Sequence, residues 1–274
     1  MKNKLILLLV ALLALVFTFA ACSGSAATTT EAPDTTTAPV TTTEAPVTTT
    51  PLDGDDAMAA FEYVSEKMNA LLGFEVEMTE ETSYNGVSDK MDMKVKVAFD
   101  EGKKAFMSVK MDEGTMDATY IDGVVYVVMK MTGMEMKYKT QDASMTASFE
   151  KIFNTFEDEH DDKADIASIS FVSRENGVYK LTAVMTEEAA LEVVLAGYEG
   201  YEIDASAFSN VSKEVTFECT ADGYVTKQTQ TLTYTVAGEV CTETTSGNYL
   251  NLGVIPEINA PADADSYMNM DEME

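Results

Sequence analysis

The chain has 274 residues, with 18 Lys+Arg against 47 Asp+Glu and a formal charge of -29. That charge argues against nucleic acid and anionic lipid headgroups as electrostatic partners, and suits a protein kept soluble outside a cell. Once a leader and a linker are set aside, about 200 residues remain, enough for one large domain or two small ones.

The leader comes first. Lys2 and Lys4 precede an apolar run from Leu5 to Ala21, which stops at Phe19-Ala20-Ala21-Cys22. A basic start, an apolar segment and small residues before a cut site make a secretory signal. A cysteine directly after two small residues resembles the bacterial lipoprotein signal, although that family usually has Leu where Phe19 stands. The resemblance implies cleavage after residue 21, diacylglycerol on Cys22 with a further acyl chain, and an extracytoplasmic, membrane-anchored location. A transmembrane anchor is the competing reading. The run is slightly short for a span, and no basic cluster follows it to stop transfer.

Residues 22–52 read as a linker. Thr-Thr-Thr-Glu-Ala-Pro occurs at Thr28 to Pro33 and again at Thr41 to Pro46. So little apolar surface cannot offset the entropy of ordering. Recurrent Pro favours extended polyproline-II, so the segment acts as a spacer reaching on the order of 90 Å.

Residues 56–72 have helical periodicity, with Ala57, Phe61, Val64, Met68, Leu71 and Leu72 on one face and Gly73 as C-cap. Strands follow, separated by Asn85-Gly86, Asp100-Glu101-Gly102, Glu113-Gly114, Asp122-Gly123 and Thr132-Gly133. Met91, Met93, Val95, Val97 and Phe99 share one face; Ala105, Met107, Val109 and Met111 form another apolar face. Val125, Val127, Met129 and Met131 form a third, on a strand whose Val124, Tyr126 and Val128 make it apolar on both sides. Such a strand predicts cover on each side of the sheet. A second helix is expected over 143–156, with Met145, Phe149, Ile152, Phe153 and Phe156 as its stripe. Two strands joined at Asn176-Gly177, a helix after Thr186, and a meander from Val211 to about Thr245 complete the pattern. The acidic residues 263–274 read as a flexible tail.

Cys219 and Cys241 fall on different strands, each near the opposite end of a shared partner. A disulfide needs Cα atoms within about 7 Å, so two free thiols are expected.

The order helix, meander, helix, two strands, helix, meander predicts an α+β fold: a curved antiparallel β-sheet, or half-barrel, wrapped around helices as a single domain over 53–262. Tyr120-Ile121-Asp122-Gly123-Val124-Val125-Tyr126 with Met136-Lys137-Tyr138-Lys139 resembles a hairpin of the LolA/LppX-like (LppX/LprG-type) half-barrel lipoproteins. Asn251-Leu252-Gly253-Val254-Ile255-Pro256-Glu257-Ile258-Asn259-Ala260-Pro261 resembles their closing segment. The resemblance implies an apolar cavity between sheet and helices that takes lipid or acylated cargo. It transfers no functional residue.

Catalysis finds little support, and no enzyme activity or cofactor is expected. The single histidine, His160, stands in a charged run, Glu157-Asp158-Glu159-His160-Asp161-Asp162, that suits a solvated loop. Methionine is more informative, with 18 in the chain and no Trp. Flexible, polarizable thioethers line adaptable apolar surfaces. Met91, Met93, Val95, Met107, Val109, Met111, Val127, Met129, Met131, Phe149 and Phe153 are therefore the candidate ligand-binding residues. The bland reading is that they simply fill a core. A surface-displayed interaction or sensory module with a packed interior and no ligand fits that reading. A third reading uses the Met-x-Met pairs that start at Met91, Met129, Met134 and Met268, because thioethers select Cu(I). Against it, copper sites usually add His or Cys, and most of these methionines read as buried. No metal ligands are assigned, and the partners expected are the membrane, through the anchor, and an apolar small molecule.

Overall fold

The computed structural model describes residues 50–99, 102–111, 114–143, 145–147, 149–150, 153, 162–198 and 203–272. Among these residues twelve strands form one open, curved sheet. They are β1 (Gly73–Tyr84), β2 (Val87–Ala98), β3 (Lys104–Met111), β4 (Gly114–Ile121), β5 (Val124–Met131), β6 (Met134–Thr140), β7 (Ile166–Glu175), β8 (Val178–Met185), β9 (Phe208–Thr220), β10 (Val225–Val236), β11 (Glu239–Leu250) and β12 (Met268–Asn269). Their order across the sheet is β12-β6-β5-β4-β3-β2-β1-β11-β10-β9-β8-β7. Two antiparallel meanders thus meet along β1 and β11, whose register runs from Glu75 opposite Leu250 to Tyr84 opposite Cys241. The fold is the α+β half-barrel arrangement that the element order predicts.

Helices cover one face, called here the core face. Helix α1 (Ala57–Asn69) begins where the Asp56 side chain accepts hydrogen bonds from the amides of Met58 and Ala59. It buries Ala60, Phe61, Val64 and Met68, and the Phe61 ring meets Phe217 of β9 at 5.5 Å. It ends earlier than expected, with Ala70 as C-cap, and Leu72 is 57% exposed rather than on the buried face. Gly73 is not a helix cap but the first residue of β1. A Cβ there would come within 2.7 Å of Pro256 Cδ, so the missing side chain allows the closing segment to approach. Gly114 likewise lies inside β4, where a Cβ would meet the Lys130 carbonyl. The tight hairpins are as expected: Asn85-Gly86, Asp122-Gly123 and Asn176-Gly177 all have positive φ at both residues.

Helix α2 (Glu187–Gly197) starts at Thr186, whose hydroxyl accepts from the Ala189 amide, and packs Ala190 and Val194 over β9. The helical segment carrying Phe149 and Phe153 lies over the other meander. Phe149 stacks on Tyr120 at 5.5 Å, and Phe153 sits 5.6 Å from the same ring and edge-on to Phe99.

The tail corrects an expectation. Residues 263–272 are not left free but fold against β6. Leaving β11, the chain passes Gly73 and ends with β12 paired in parallel to β6, Met268 opposite Tyr138. Asp263 accepts from Lys137 Nζ at 2.7 Å, Asp271 accepts from the Thr140 hydroxyl at 2.6 Å, and the buried Tyr267 packs edge-on to Tyr126. Burial of Pro256, Ile258 and Tyr267 drives this, and acidic residues between them reach basic or hydroxyl partners. The strap covers the face of β5 that bears Tyr126, opposite the core face. It accounts for the doubly apolar pattern of that strand.

Cys219 stands opposite Val225 and Cys241 opposite Tyr234, nearly the whole length of β10 apart, on the order of 30 Å. Both thiols are buried and unpaired.

Candidate functional site

The candidate residues on strands share the core face, and the register aligns them in rows. Val76, Val95, Met107, Ala118, Val127 and Tyr138 form one row across β1 to β6. The next contains Met78, Met93, Val109, Met116, Met129 and Met136. Beyond it, Met111 faces Gly114, Gly114 faces Met131, and Met131 faces Met134. Met91 flanks this outer row on β2.

Burial falls from row to row. Met107, Val109 and Val127 expose no surface, and Met93, Val95, Phe149 and Phe153 are nearly as enclosed. These seven belong to one core cluster and are packed within it. Met91, Met111 and Met129 are half-buried and pack against the edge of that cluster. Met131 is half-buried outside it, and Met134 is 46% exposed. The sheet therefore presents a graded apolar surface: packed near the Phe residues, accessible at the outer methionine row.

Sequence reasoning missed a second feature. On β9, β10 and β11, polar side chains interrupt the core face between two apolar clusters. Lys213 lies between Val211 and Val215, Gln228 and Gln230 between Val225 and Leu232, and Glu243 and Thr245 between Cys241 and Tyr249. Glu80 of β1 joins this band opposite Thr245, which in turn faces Gln230. Tyr249 donates to Gln228 Oε1 at 3.1 Å and Tyr234 to Glu243 Oε1 at 2.8 Å. Glu80 Oε2 and Gln230 Oε1 are buried and have no hydrogen-bond partner among the described residues. Burial, reinforced by the nearby Glu243 carboxylate, pushes the Glu80 carboxyl up to about 7. Burial alone lowers the Lys213 ammonium to about 8. The strand alternation contained the signal: Gln228 and Gln230 share parity with Leu232 and Tyr234, so a core-facing strand must bury them.

The opposite face carries a shallow depression of about 410 Å³ lined by Glu77, Thr79, Asp92, Lys94, Ser108 and Lys110, with Ser246 and Asn248 at its side and the candidate residue Met93 and its neighbour Met78 also in its lining. Four of its polar groups pair with one another. Thr79 donates to Asp92 at 2.9 Å and Lys94 to Glu77 at 3.1 Å. It is not the apolar site expected from the sequence.

No family model and no curated protein matches the chain. Solved structures of similar course include a LolA superfamily protein. That protein, NE2245 from Nitrosomonas europaea, is 9% identical over 76% of this chain and 95% of its own, with a TM-score of 0.25. LprF from Mycobacterium bovis is 9% identical over 76% of this chain and 100% of its own, with a TM-score of 0.42. Both likenesses are distant in sequence and in superposition.

Cys22, the leader, the linker up to residue 49 and His160 lie outside the described residues. Among the described residues no helix is long and apolar enough to cross a membrane, and no group of three or more His, Cys, Asp or Glu is placed to hold a metal ion.

Proposed function

We propose that this chain is a lipid-anchored extracytoplasmic binding protein that takes an apolar or acylated ligand on the core face of β1 to β6. In this reading residues 1–21 are a cleaved leader, Cys22 carries the lipid and the spacer runs to residue 49; the binding domain begins before the expected Asp53, because Pro51–Asp53 form a helical turn whose Leu52 is buried in the core. The observation that carries it is the graded methionine surface. Thioether side chains repack at small cost, so an acyl chain entering at the half-buried Met91, Met111, Met129 and Met131 displaces flexible groups rather than rigid ones. Removing that chain from water contributes about 0.8 kcal/mol per buried CH₂. The role is binding or transfer, without catalysis.

Native mass spectrometry of the Cys22→Ser chain, which has no covalent lipid in this reading, tests the proposal. A co-purifying lipid near unit occupancy, or stoichiometric uptake of added fatty acid, is the expected result. A clean apo mass with no uptake of added lipids overturns it.

Full burial of Met107, Val109 and Val127 favours a second reading, a displayed interaction or sensory module whose interior is only a core. The apo result would leave that one standing.

A further inference from the structure

The β5–β6 hairpin reads Met129-Lys130-Met131-Thr132-Gly133-Met134-Glu135-Met136. Its register sets Met129 opposite Met136 and Met131 opposite Met134. Alternation then puts all four thioethers on the core face, and directly paired positions have Cβ atoms about 4.5–5.5 Å apart. Three of the four are uncommitted to the interior. Met129 packs against the core cluster, whereas Met131, Met134 and Met136 lie outside it. All four retain exposed surface. Methionine is not a favoured strand residue, and half-exposed positions near a hairpin end gain little from a flexible gap-filler.

From this geometry we infer that the hairpin is a soft-metal site, a thioether quartet for a monovalent d¹⁰ cation such as Cu(I) or Ag(I). Thioethers are soft donors that select Cu(I) over hard divalent ions. The objection that such methionines are buried does not hold for these four. Electrostatics also permit it. Lys130 and Lys137 alternate to the opposite face, where Lys137 is held by Glu135 and Asp263. The chain's net charge of -29 draws cations rather than repelling them. Each sulfur is placed by two rotatable bonds, Cα–Cβ and Cβ–Cγ, which gives the four thioethers freedom to turn toward one ion. Met129 and Met131 also lie at the proposed acyl entry, but the inference rests on the hairpin's register and not on that reading.

The test is titration of the full chain, methyl-labelled at methionine, with Ag(I) and, under reducing conditions, with Cu(I) against a competing chelator. At one equivalent, ε-methyl resonances of the quartet shift, and the chain holds Cu(I) far more tightly than free methionine does. The Met131→Leu/Met134→Leu double variant weakens binding by more than about tenfold, while Met91→Leu/Met111→Leu, on the same face but off the hairpin, leaves it unchanged. Leu conserves volume, and unchanged thermal unfolding verifies that each variant is folded. Affinity no better than that of free methionine, equal binding by the hairpin variant, or a response confined to the cysteines overturns the inference.

Discussion

Glu80 shows how a single buried group sets the pH response of this fold. Its carboxyl sits at about 7, against 4.5 in the unfolded chain, mainly through burial and secondarily through Glu243. The folded state therefore holds the proton more tightly than the unfolded state. The stability from this group is fully present below pH 4.5 and is lost as pH rises through about 7, to a total on the order of 3 kcal/mol. Glu80→Gln keeps the shape and removes the titration. Urea unfolding at pH 5 and pH 8 should then show a smaller loss in the variant than in the parent, and at pH 8 the variant should be the more stable. Equal losses in the two proteins would show that the Glu80 site is hydrated and titrates normally. Lys213 acts in the other direction. With its ammonium lowered to about 8, it adds stability above pH 10.5 that is lost as pH falls through 8, so the two windows barely overlap.

At the scale of elements, the informative comparison is between hairpins and close approaches. The Asn-Gly and Asp-Gly hairpins were legible because their chemistry is local: both residues need positive φ. Gly73 and Gly114 misled because their role is long-range. Each makes room for another stretch of backbone, which the neighbouring sequence does not encode. The eleven candidate residues were legible as core-facing by alternation and helical spacing. How tightly they pack, and which of them reach solvent, depends on the distance of each row from Phe149 and Phe153, a tertiary quantity. The strap was missed because its composition is that of a tail. Its order comes from Tyr267 beneath Tyr126 and from acidic side chains that reach Lys137 and Thr140. Tyr267→Ala should thus cost about 3–5 kcal/mol, the range for removing a buried aromatic ring. Hydrogen exchange should rise in β6 and β12 while β8 to β10 stay protected. Uniform loss of protection across the sheet would mean that the strap belongs to the global folding unit instead.

On the scale of the whole molecule, the domain's first residues are fastened at one end of the sheet. Leu52 is fully buried in the core, and at the β7–β8 hairpin Asp53 accepts from the Tyr179 hydroxyl at 2.7 Å while Arg174 donates to the Gly54 carbonyl. Asp53 and Gly54 are therefore tied beside the β7 edge, and the methionine hairpin lies at the other end of the strand order. An anchor at Cys22 acts on the domain only through residues 23–49, since the fastening at Leu52 and Asp53 isolates the sheet from whatever pulls on the linker. Cys22→Ser should accordingly move the protein from the membrane pellet to the soluble or secreted fraction and leave its thermal unfolding unchanged. A variant that stays in the pellet after an alkaline carbonate wash would show that the apolar run from Leu5 to Ala21 remains as a span. A variant that is released but unfolds at a lower temperature would show that the lipid, and not the contacts of Leu52 and Asp53, holds the first residues in place.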